Sequence, residues 1–103
     1  MKVDFFIVGA PKAGTTSLYY YLDEHHDICM SSDKEPNYFS GEELQKQDMY
    51  YGKSRVDTLD IYHSLFDKHS ESKIKGEASV SYLFYKNVPK KIKEYNPNAK
   101  III

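Results

Sequence analysis

Nine consecutive residues, Gly9-Ala10-Pro11-Lys12-Ala13-Gly14-Thr15-Thr16-Ser17, combine small side chains, one cation and three hydroxyls in a pattern suited to holding an anion. Small residues let the backbone curl so that successive N–H groups point into one concavity, and a following helix adds the positive end of its dipole and its unpaired donors. Lys12 can place a full charge on the bound group, and the hydroxyls of Thr15, Thr16 and Ser17 can donate to further oxygens. A dinucleotide fingerprint requires G-x-G-x-x-G, which this loop lacks. The NTPase pattern requires G-x-x-x-x-G-K-[ST]; Gly9 and Gly14 have that spacing, but Thr15 stands at the lysine position and the lysine lies inside the loop at position 12. Without the usual lysine–hydroxyl pair for a triphosphate and Mg²⁺, ordinary ATP or GTP hydrolysis is disfavoured. A tetrahedral, phosphate-like ligand fits.

Such a loop needs a strand before it and a helix after it. Val3-Asp4-Phe5-Phe6-Ile7-Val8 reads as a buried strand. Thr15, Thr16 and Ser17 offer N-cap chemistry ahead of Leu18-Tyr19-Tyr20-Tyr21-Leu22, with Leu18 and Leu22 on one face and His25 and His26 at the dipole's negative end. Ile28-Cys29-Met30 reads as a short strand, and Pro36 biases Glu35 toward extended backbone. Between Gly41 and Lys73 one helix is expected, carrying Leu59, Tyr62 and Phe66 at helical spacing. Ile74 to Ala78 is a further strand. Pro89 suits the first position of a helix whose face holds Val88, Ile92 and Tyr95, and Asn96-Pro97 ends it before Ile101-Ile102-Ile103. Strands alternating with helices predict a parallel, helix-covered α/β sheet.

Composition narrows the function classes. A chain of 103 residues with 14 Lys+Arg against 15 Asp+Glu is one modest domain without the basic excess of a nucleic-acid binder. Its apolar runs are a few residues long, far below the roughly 20 that cross a bilayer, and no secretory leader is visible. One cysteine, Cys29, excludes an intrachain disulfide and a multi-cysteine metal site, and suits a small core position. The closing Ile101-Ile102-Ile103 reads as a strand entering a core, so the domain is expected to continue past Ile103. His63 and His69 are read as surface residues, and Tyr19, Tyr20, Tyr21, Tyr50 and Tyr51 as half-buried packing. The residues alone leave Glu35 open between an exposed acid before a proline turn and a general base, and leave Glu77 and Ser79 open between cleft and strand end.

The run Pro11-Lys12-Ala13-Gly14-Thr15-Thr16-Ser17-Leu18 resembles the 5'-phosphosulfate loop of sulfotransferases that use 3'-phosphoadenosine 5'-phosphosulfate (PAPS). Three further blocks agree in order. Lys34-Glu35-Pro36-Asn37-Tyr38-Phe39 is similar to the acidic segment before paired aromatics in the heparan-sulfate-type and related bacterial branch. Gly76-Glu77-Ala78-Ser79-Val80-Ser81-Tyr82-Leu83 resembles that branch's next block, and Pro97 to Ile103 its lead-in to the next core strand.

This resemblance implies the N-terminal part, residues 1–103, of a single three-layer, P-loop-type α/β sulfotransferase domain. It implies that Pro11, Lys12, Ala13, Gly14, Thr15, Thr16 and Ser17 bind the donor, that Lys12 stabilises charge on the leaving phosphate, and that Glu35 is the catalytic base. The donor would be PAPS, the product adenosine 3',5'-bisphosphate, and the acceptor a hydroxyl or amine, with a carbohydrate preferred; no metal, nucleic acid or membrane is implied. His26-Asp27 replaces a frequent His-Pro, Ala78 stands where some glycan-modifying relatives have Lys, and Val80 replaces a frequent Pro, so the acceptor stays open. The family's 3'-phosphate-binding Arg and Ser would follow Ile103, which leaves the activity of this chain alone open. With its first strand starting at Val3 there is no space for the membrane anchor of Golgi-resident relatives, and a cytoplasmic enzyme is expected. The competing readings are a P-loop phosphotransferase and a non-catalytic phosphate-binding fragment.

Overall fold

A computed structural model describes residues 1–9, 14–46, 56–67 and 74–103 of the chain. The apolar run at the start forms β1 (Phe5–Ile7), flanked by buried Val3 and Val8. The helix α1 (Thr15–Asp23) and β2 (Ile28–Met30) follow. A 3-10 turn over Tyr38–Ser40 runs into α2 (Gly41–Lys46), and α3 covers Leu59–Ser64. Next come β3 (Ile74–Ala78), a second 3-10 turn over Val80–Leu83, α4 (Val88–Tyr95) and β4 (Lys100–Ile102).

The four strands are parallel in the order β2-β3-β1-β4, with Phe5 opposite Gly76 on one side and Lys100 on the other. Strand periodicity sends alternate β1 side chains to opposite faces. Phe6 and Val8 join Cys29, Phe39, Tyr62, Phe66, Tyr82, Val88 and Ile92 beneath α3 and α4. Phe5 and Ile7 join Tyr19, Met30 and Ala78 beneath α1. Helices on both faces of a parallel sheet give the three-layer α/β architecture that the sequence predicts, and burying each large apolar side chain stabilises it by about 1.5–3 kcal/mol.

Gly76 is required by packing. A Cβ there would lie 2.1 Å from Phe5 Cζ and 2.4 Å from both Cε atoms, so the Phe5 ring occupies the space that any other residue would fill. Asp4 ties the same strands together, its Oδ2 accepting from Lys75 N–H at 2.8 Å.

Several local expectations are corrected. The strand β1 itself is Phe5–Ile7, shorter than the apolar run, with Asp4 and Val8 at its ends still hydrogen-bonded to Lys75 O and Ile102 O. The N-cap of α1 is Gly14, with φ +85°, and no side chain caps it; Thr15 is already helical, and Leu18 and Leu22 pack partly buried on one face as expected, with Tyr19 buried beside them. Tyr20 and Tyr21 are exposed, whereas Tyr19 is buried; Tyr50, Tyr51 and His69 lie outside the described residues. The middle region holds α2 besides α3, whose N-cap Thr58 accepts from Ile61 N–H at 3.2 Å. Leu59 points outward, while Tyr62 and Phe66 are buried. His63 is partly buried, its Nε2 2.8 Å from the Tyr95 hydroxyl, and burial pulls its pKa down. The expected core strand β4 is paired on one side by β1 and leaves Ile101 49% exposed. Cys29 is buried as expected, and among the described residues no helix is long and apolar enough to cross a membrane.

Candidate functional site

Strand order places the glycine loop. From β1 the chain runs by α1, over one face, to β2; from β3 it runs by α4, over the other face, to β4. The neighbouring ends of β1 and β3 are therefore a topological switch point, where open α/β sheets bind ligands. Gly9 leaves β1 there, and α1 starts five residues later at its left-handed Gly14 cap. Leu18 N–H donates to Gly14 O at 3.1 Å, closing the first turn. Thr15 is buried, whereas Thr16 and Ser17 are exposed at the helix start. The donors and hydroxyls of an N-terminus without a side-chain cap suit an anion. Gly9 is covered by Leu83, whose Cδ2 would lie 2.7 Å from a Cβ at that position. Pro11, Lys12 and Ala13 lie outside the described residues.

Glu35 enters from the loop after β2. Its backbone has φ +68°, not the extended geometry expected before Pro36, and Asn37 follows at φ +55°. Two such residues cost on the order of 1–3 kcal/mol each and persist only where their surroundings hold them. Those surroundings are the residues after β3. Val80 N–H donates to Glu35 Oε1 at 3.0 Å, Asn37 N–H to Ser79 Oγ at 3.0 Å, and Ser81 Oγ to Asn37 Oδ1 at 2.6 Å. Within the loop, Asn37 Nδ2 donates to Glu35 O at 3.1 Å. The other carboxylate oxygen of Glu35 is 3.8 Å from Lys34 Nζ, both side chains being partly exposed.

Ser79 also anchors this loop to β1, because its N–H donates to Ile7 O at 3.0 Å. Tyr19 of α1 reaches the end of β2, its hydroxyl donating to Ser31 O at 2.5 Å. Glu35, Ser79 and the start of the glycine loop thus share the carboxyl end of the sheet.

Beneath them lies an acid whose place, cleft or strand end, the sequence alone leaves open. Glu77, inside β3, is fully buried. Its Oε2 accepts from Tyr62 and Tyr82 hydroxyls at 2.5 and 2.9 Å, and its Oε1 from Ser79 Oγ at 2.7 Å. Burial pushes the carboxyl up to about 7, against the three hydrogen bonds that favour its charged form, while the charge of Glu35 pushes it further up. The carboxylate in turn drives both tyrosines above their ordinary range, with burial the larger cause. The signal available in the sequence was an acid between Gly76 and Ala78 inside a segment expected to be a core strand.

No family-level sequence profile matches the chain. It is 32% identical over 98 residues to the bifunctional heparan sulfate N-deacetylase/N-sulfotransferase 1 of Xenopus laevis, covering 93% of this chain and 10% of that protein. It is 30% identical over 103 residues to the membrane-associated sulfotransferase kil1 of Dictyostelium discoideum, covering 97% and 19%. The crystal structure of a sulfotransferase from Alicyclobacillus acidocaldarius superposes with a TM-score of 0.78 at 36% identity, covering 98% of this chain and 43% of that one. The chain therefore spans a fifth or less of these curated relatives and under half of the solved structure. With a P-loop-type sheet, a glycine loop at its switch point and an acidic loop beside it, the chain belongs to the sulfotransferase family and corresponds to part of the length of its relatives.

Proposed function

We propose that this chain carries the donor-phosphate loop and the base of a sulfotransferase that moves a sulfuryl group from PAPS to an acceptor hydroxyl or amine. The observation that carries the reading is the shared anchorage at the end of β1: Gly9 opens the phosphate loop there, and Ile7 O holds Ser79, next to the Val80 N–H that orients Glu35. In the reaction the acceptor attacks sulfur in line, forming an O–S or N–S bond as the bond from sulfur to the phosphate oxygen breaks. The electron pair of that bond leaves on the 5'-phosphate. Lys12 and the α1 N-terminus, with Gly14, Thr15, Thr16 and Ser17, stabilise the charge that develops there. Glu35 takes the acceptor's proton; one of its oxygens is held by Val80 and the other stands beside Lys34. No step calls for a metal. A glycan acceptor belongs to the same proposal, supported by the heparan sulfate name of one relative.

Calorimetric binding of adenosine 3',5'-bisphosphate tests the donor site, with Lys12→Ala and Mg²⁺-ATP as comparisons. The bisphosphate is expected to bind in preference to Mg²⁺-ATP, and Lys12→Ala to weaken it by roughly tenfold or more, the value of a charge-assisted contact. Preference for Mg²⁺-ATP would favour a phosphotransferase instead. No binding by folded protein refutes a donor site in this chain.

A further inference from the structure

The Glu77 network has a directionality that hydrogen-bond chemistry fixes. An ionised carboxylate can only accept. The Ser79 and Tyr82 hydroxyls each have one proton, and both protons point at Glu77. Each hydroxyl is then left with lone pairs for a donor, and each has one: Asn37 N–H lies 3.0 Å from Ser79 Oγ, and Phe39 N–H 3.3 Å from Tyr82 Oη. These two amides belong to the backbone that follows Glu35, the stretch with left-handed φ at Glu35 and Asn37. We propose, resting on the reading of Glu35 as the base, that Glu77 is a positioning residue: its buried carboxylate orients the Ser79 and Tyr82 hydroxyls as acceptors, and these pin the loop that presents Glu35.

The surroundings explain how one carboxylate can act on a whole loop. Phe39, Tyr62 and Tyr82 are buried around it, with ring centroids 5.6 and 5.9 Å from Phe39 to the two tyrosines, so the hydrogen bonds operate in a water-poor interior where they are strengthened. The titratable groups facing Glu77 are Tyr62 from α3, Tyr82 from the turn after β3, Tyr95 from α4 and Glu35 from the loop itself, none of them a cation. Protonating Glu77 places a hydrogen on one of its oxygens. That oxygen becomes a donor, and where its partner is Ser79 or Tyr82 the hydroxyl must turn its own proton away from Glu77 and spend a lone pair on it, which competes with the Asn37 or Phe39 amide and weakens the pinning. Because burial raises this carboxyl to about 7, the pinning weakens as pH falls through that value.

Amide hydrogen exchange reads this without requiring turnover. In Glu77→Gln, whose amide replaces one acceptor by a donor at nearly constant volume, protection of the Asn37 and Phe39 amides is expected to fall roughly tenfold or more, the equivalent of a lost charge-assisted hydrogen bond. The amides of β1 serve as the internal reference for global stability. In the unmodified protein the same two amides, corrected for intrinsic exchange, lose protection as pH drops from 8 to 5. Tyr62→Phe removes a hydrogen bond that favours the carboxylate and moves that midpoint upward. Unchanged protection at Asn37 and Phe39 in Glu77→Gln overturns the proposal. If that variant does not fold, a flat pH profile at these amides in the unmodified protein overturns it equally. In an active full-length relative-sized enzyme, Glu77→Gln lowers kcat with donor-product affinity retained. Activity retained by Glu35→Gln would instead defeat the base reading while the loop measurement still judges Glu77.

Discussion

Replacing Glu77 by Gln removes a buried carboxyl whose proton affinity differs between folded and unfolded chain, and the resulting change in stability can be worked out with its sign. In the unfolded chain the group titrates at its ordinary 4.5; in the fold burial raises it to about 7. Between those values the folded protein binds one proton more than the unfolded chain, so stability declines as pH rises through the window. The slope is about 1.4 kcal/mol per pH unit, and the whole shift of about 2.5 units corresponds to a loss of about 3 kcal/mol above pH 7 relative to below pH 4.5. Urea denaturation of the protein and of Glu77→Gln at pH 5, 6, 7 and 8 measures it as a difference. His63, whose pKa is lowered by burial, contributes a slope of the opposite sign that is common to both proteins and cancels. The expected result is that the protein loses most of this stability relative to its Gln variant across the series. A difference that stays flat, or rises with pH, would refute the dominance of burial over the three hydroxyl donors. The fold thus favours the protonated carboxyl, whereas the pinned loop uses the ionised one.

Gly76→Ala is expected to cost 1–3 kcal/mol or somewhat more, about the range for overpacking, because its Cβ meets the Phe5 ring at 2.1 Å. Adding Phe5→Leu should recover part of that loss in a double-mutant cycle, and additive losses would show that the clash is relieved elsewhere. Gly14→Ala places a Cβ at φ +85°, where nothing crowds it, so the penalty is conformational: about 1 kcal/mol by thermal unfolding. Weaker bisphosphate binding should accompany it, and unaltered stability would argue against the left-handed cap.

What the sequence made legible was periodic or spaced. The three segments 28–30, 74–78 and the run around Phe5–Ile7 pair as parallel strands; the apolar run around Phe5–Ile7 carries the plainest signal, and 74–78, with Lys75 and Glu77 in it, the weakest. The glycine spacing marked the junction of β1 and α1, where Gly14 forms the left-handed cap at the helix start. Glu35 was found through resemblance, and its left-handed backbone was not, because that conformation is imposed by Ser79, Val80 and Ser81, more than forty residues away. The sequence leaves Glu77 open between cleft and strand end for the same reason. An acid in a core strand becomes interpretable once Tyr62, Ser79 and Tyr82 are known to converge on it. Lys12, the cation most directly implicated by the motif, lies outside the described residues, so its role rests on the binding test.

The position of β1 at the middle of the sheet shapes how the chain acquires its site. A hydrogen bond spanning 71 residues joins Asp4 to Lys75, and one spanning 93 residues joins Asn96 to Val3. The first strand is made well before its pairing partners in β3 and β4. Closing such long loops precedes any reward from the sheet, which makes folding slow for the chain's size. The loop that follows β1 is therefore made before the strands that flank its base are available to pair, and a ligand able to engage it during synthesis would act on a chain that still lacks them.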